Sequence, residues 1–88
     1  MTAAPEPWGP WAPDLDAAER LARFRSLRTL VQVFAGPDHA LVAALANAEI
    51  DPAAANAAWE ALSTTPSLTR RRVLSTFAAI HRPKRGAL

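Results

Sequence analysis

The chain has no cysteine and no tyrosine, one methionine and three glycines among 88 residues. Without cysteine, disulfides and thiolate metal sites are excluded, and the redox compartment is left open. The glycines at 9, 36 and 86 stand alone, so no glycine-rich loop can cradle a phosphate. No apolar run approaches the roughly 20 residues that a bilayer-spanning helix needs. The N-terminus has no basic patch ahead of an apolar stretch, so no secretory leader is expected and the cytoplasm is the expected location. Alternation of β-branched residues is also missing, which leaves no signal for a sheet.

Half of the residues are apolar, but alanine supplies much of that half. A chain of this length is one domain at most, near the lower limit for a core that folds unaided. The larger anchors are spread evenly: Leu15, Leu21, Phe24, Leu27, Leu30, Val31 and Phe34, then Leu41, Leu45 and Ile50, then Trp59 and Leu62, then Val73, Leu74, Phe77 and Ile80. They fill one compact core and leave no room for a ligand cavity, so no small-molecule ligand is expected. A partner, or a second copy, would supply the burial such a core lacks.

The pI of about 10.5 overstates the field, because the net charge is only +2. The arrangement says more. Glu6, Asp14, Asp16 and Glu19 precede a purely basic run, Arg20, Arg23, Arg25 and Arg28. Asp38, Glu49, Asp51 and Glu60 then occupy the middle, and Arg70, Arg71, Arg72, Arg82, Lys84 and Arg85 close the chain. Such segregation either neutralises itself within the fold or produces a basic face.

Local signals divide the chain into an arm (1–13), an all-α four-helix bundle (14–82) and a basic tail (83–88). Prolines at 5, 7, 10 and 13 keep helix and sheet out of the arm. Asp14 is the expected cap of a first helix over about 15–35, ended by Gly36-Pro37. Its apolar residues form two stripes, Leu15/Ala18/Leu21/Ala22 and Phe24/Leu27/Leu30/Val31/Phe34. No Gly or Pro marks a break between them, so one continuous helix meeting different neighbours is expected. Asp38 should cap a second helix over 39–48, carrying Leu41, Ala44, Leu45 and Ala48. Asp51-Pro52, a cap followed by proline at the first helical position, opens a third over 52–62 with Ala55, Ala58, Trp59 and Leu62 inward. Thr65 or Ser67 should cap a fourth over 67–81, stopped by Pro83, with Val73, Leu74, Phe77 and Ile80 inward.

Chemistry-bearing residues are sparse. His39 and His81 lie on different helices without a second ligand at metal spacing, so no metal and no cofactor is expected. A partly positive His81 would suit the last turn of its helix. Ser26, Ser63, Ser67 and Ser75 have no base nearby in sequence, and the acids cluster at helix starts. Catalysis is not expected.

The run Pro66-Ser67-Leu68-Thr69-Arg70, behind a short helix, resembles the opening of the reading helix in the LysR and MarR regulator families. The resemblance covers less than a quarter of the chain. It implies a helix-turn-helix made of 52–62 and 67–81, with Ser67, Thr69, Arg71 and Arg72 toward a major groove, where arginine suits guanine. Arg70, Arg71 and Arg72, with Arg82, Lys84 and Arg85 in the tail, would then be the nucleic-acid-binding residues. The sequence departs from that pattern at Arg72 and Ser75, where it calls for apolar core residues. Glu49, Asp51 or Glu60 could equally neutralise the arginine triplet.

The arm carries Pro7-Trp8-Gly9-Pro10-Trp11-Ala12-Pro13. Proline at every third position favours a polyproline II segment, whose three-residue turn places Trp8 and Trp11 on one face. Two large aromatic anchors on a stiff arm must cover something apolar, either the chain's own bundle or a partner. The expectation is therefore a non-catalytic adaptor, regulatory or assembly protein acting through protein–protein contacts or self-association. Trp8, Trp11, Arg20 and Arg23 are its candidate contact residues. The alternative is the nucleic-acid-binding regulator.

Overall fold

A computed structural model describes residues 9–13 and 15–81. The described residues form an all-α domain of four helices without strands: α1 (Ala17–Ala35), α2 (Ala40–Ile50), α3 (Ala55–Thr64) and α4 (Ser67–His81), with a 3-10 turn at Pro52–Ala54 leading into α3. Trp8, Asp14, Arg82 and the tail with Lys84 and Arg85 lie outside the described residues.

Local chemistry sets the helix ends. Asp16 caps α1, its Oδ1 accepting from the Glu19 amide at 2.8 Å. Glu19, in the first turn, also pairs with Arg23 one turn on at 3.1 Å. The helix stops at Gly36, whose φ of 97° is open to glycine without penalty, and whose amide donates to the Gln32 carbonyl. His39, rather than Asp38, caps α2: its Nδ1 accepts from the Leu41 amide at 3.1 Å. Asp51 starts the 3-10 turn, accepting from the Ala53 amide at 3.0 Å ahead of Pro52. Neither expected hydroxyl cap of α4 forms. Thr65 is buried and donates back to the Ala61 carbonyl at 2.8 Å, while Ser67 is the first helical residue.

Helix α1 is central: it packs on both α2 and α4, and α2 packs on α3. Only its second apolar stripe enters the core, through Phe24, Leu27 and Val31. Ala18 and Ala22 of the first stripe are exposed. The other helices add Leu41, Val42, Leu45 and Ala48, then Ala58 and Leu62, then Val73 and Phe77. Ala48 and Ala58, both buried, let the α2 and α3 backbones come close. Leu15, Leu21 and Trp59 are only half-buried, and three further expected anchors, Ile50, Ile80 and Phe34, are exposed. Each of these three lies at the end of its helix, where the neighbouring helix no longer covers it.

Candidate interaction surfaces

The described part of the arm does not run as polyproline II, a conformation without internal hydrogen bonds. The Ala12 amide donates to the Gly9 carbonyl at 3.1 Å, closing a turn that tucks Trp11 against the bundle. The indole meets Phe24 edge-on (5.3 Å between centroids, 87°) and Trp59 likewise (5.0 Å, 74°). Its Nε1 donates to the Ala55 carbonyl at 2.8 Å. Trp11 is thus held by its own chain, through packing plus one satisfied polar atom.

Arg20 fastens the same segment. Its guanidinium donates to three carbonyls, those of Pro10, Ala12 and Leu15, each at 2.9 Å. A planar fork suits that task, because several acceptors can be met from one fixed position. Arg23 is engaged with Glu19.

The remaining arginines divide into paired and unpaired. Glu49 of α2 receives Arg28 of α1 through both carboxylate oxygens and meets Arg25 at 3.5 Å. Glu49 therefore neutralises the first helix, and not the arginine triplet. Arg70 donates to the Ser63 and Thr65 carbonyls at 2.9 and 3.1 Å, closing the C-terminal end of α3. Arg71 and Arg72 are exposed, and among the described residues no carboxylate lies within 4 Å of either.

The α3–α4 connection does not build a helix-turn-helix core. Only Thr65 and Pro66 separate the two helices, and α4 lies along α1 with little contact to α3. Leu68 is 59% exposed. Ser67, Leu68, Arg71, Arg72 and Ser75 form one outward face of α4, while Thr69 is half-buried. An open depression of about 390 Å³ on this side is lined by Ser67, Arg70, Arg71, Leu74 and Ser75.

Ser26 does have a base beside it. His81 Nε2 lies 2.8 Å from its Oγ, although 55 residues separate the two in sequence. Ser26 sits within α1, whose backbone amides are engaged in the helix itself. The imidazole stacks at 4.4 Å on Phe77, and the pair ties the end of α4 to α1. Among the described residues no three His, Cys, Asp or Glu side chains gather at metal-binding distance.

Burial holds the His81 pKa below its ordinary 6.5; the Arg23 cation pushes the same way and Glu19 pulls it back in part. The imidazole is therefore less readily protonated than its last-turn position suggests. In the unfolded chain the ring regains its ordinary affinity for protons, so that state binds more of them as pH falls through 6.5. The neutral ring's contribution is whole above that pH and is lost on acidification toward the folded-state value. Wild-type melting temperature should fall between neutral and mildly acidic pH, and His81→Gln should flatten that part of the curve. Superimposable profiles would disprove the assignment.

Large apolar groups are also left on the surface. Val33 and Phe34 are consecutive at the end of α1, 72% and 41% exposed, and Ile50 at the end of α2 is 84% exposed. Among the described residues no helix is long and apolar enough to cross a membrane. Comparison with family models, with curated proteins and with solved structures found no match to this chain.

Proposed function

We propose that this protein is a non-catalytic adaptor or assembly module that works through protein–protein contacts. The observation carrying this reading is the exposure of Val33, Phe34, Ile50, Leu68 and Ile80 on so small a domain. Single exposed apolar residues are ordinary, but adjacent ones at a helix end form a surface that association would cover. Trp11 is a weaker contact candidate than its place on the arm suggests, since docking it elsewhere would first require releasing Phe24, Trp59 and Arg20. A second reading, nucleic-acid binding, draws on Arg71 and Arg72, exposed and without a carboxylate partner among the described residues.

One capture experiment separates the two. Tagged protein recovered from its native cell should carry a partner protein in near-stoichiometric amount. Val33→Glu/Phe34→Gln should remove that partner while changing stability by about 0.5 kcal/mol or less, as usual at exposed positions. Recovery of nucleic acid instead, lost with Arg71→Ala/Arg72→Ala and weakened steeply by salt, would replace the adaptor reading.

A further inference from the structure

Two exposed features of this chain complement each other, and among the described residues neither has an ion-pair partner. The first is the elbow after α2, where residues 50–53 are all exposed. Ile50 forms its apolar tip. Asp51 beside it spends Oδ1 on the Ala53 amide and has no cation within 4 Å among the described residues, leaving its other oxygen for a partner. The second is the depression on α4. Leu74, half-buried, supplies its apolar part, and Arg70 forms a wall fixed by its two carbonyl bonds. Arg71 stands at its edge, with no carboxylate within 4 Å among the described residues.

We infer that the Ile50–Ala53 elbow of one copy docks in the α4 depression of a second copy, with Ile50 over Leu74 and Asp51 against Arg71. This names the partner within the protein-contact reading and rests on it. Charge complementarity chooses the occupant: the elbow offers one acid beside one branched apolar side chain, and the depression offers one cation, unpaired among the described residues, beside an apolar floor. A nucleic acid would meet the arginines but leave Leu68 and Leu74 uncovered. The two surfaces differ, so the contact is heterologous and propagates head to tail, ending only if the chain of copies closes into a ring. An elbow of four residues makes a small interface, so association depends on concentration. Its ion pair makes it salt-sensitive.

Sedimentation equilibrium on the whole chain tests this directly. Weight-average mass should rise with protein concentration beyond twice the monomer mass of 9.4 kDa, and fall back toward the monomer at high salt. Ile50→Gln removes the tip and Arg71→Glu removes the cation. Both positions are exposed helix sites, and circular dichroism should show both variants folded. Each alone should remain monomeric. Mixed together, they should form a one-to-one complex of twice the monomer mass that grows no further, because each retains the half the other lacks. A wild-type chain that stays monomeric at every concentration overturns the inference. So does association that both variants preserve. Partner capture through Val33 and Phe34 decides the broader reading independently of either result.

Discussion

Replacing Trp11 by alanine should destabilise the domain by about 3 kcal/mol, the lower end for removing a large aromatic from a packed site. That is a large share of the roughly 4–13 kcal/mol expected in total for a chain of this length. The indole fills the space between Phe24 of α1 and Trp59 of α3, helices that otherwise share few contacts. Its loss uncovers both rings and the N-terminal end of α3. Melting temperature should fall by about 12–24 °C, since each kcal/mol is worth about 4–8 °C at this size. Trp11→Phe keeps a ring but not the donor to the Ala55 carbonyl, and should cost only about 1 kcal/mol. Urea unfolding followed by circular dichroism measures both. A Trp11→Ala chain as stable as wild type would mean that the arm contributes nothing to the fold.

The second large effect is expected at Arg20. Arg20→Met keeps the aliphatic stem and deletes the three donors to Pro10, Ala12 and Leu15, for a loss of about 2 kcal/mol. Lysine cannot meet all three acceptors and should recover about half of that loss. The informative quantity is the coupling. Arg20 and Trp11 fix the same segment, so once Trp11 is gone Arg20 has little left to hold. The double variant should be hardly less stable than Trp11→Ala alone, a coupling of about 1–2 kcal/mol. Strict additivity would show that the two side chains act on separate parts of the structure.

What could be read beforehand depended on how local its cause was. Gly36-Pro37 and Asp51-Pro52 announce helix ends by themselves, because positive φ, a capping carboxylate and a missing amide act within a few residues. The same logic could not choose between Asp38 and His39 as cap, since both can accept from a first-turn amide. Ile50 and Ile80 continue their helical stripes correctly; whether another helix reaches far enough to cover them is a property of the assembled bundle. Proline spacing in the arm is compatible with a polyproline run or a turn, and the indole's partners on α1 and α3 favour the turn. The meeting of Ser26 with His81 has no short-range signature at all. Charge segregation was visible, but which arginines are paired depended on Glu49 facing α1 and on open carbonyls at the end of α3.

The order in which the helices touch also bears on how the chain folds. α1 pairs with α2 and α2 with α3, all neighbours in sequence, whereas α4 returns to α1 across the whole bundle. The first pairings close short loops at little entropic cost, and the last must close a long one. The first three helices can therefore assemble before α4 docks. Val73 and Phe77 then complete a core whose other walls are already standing.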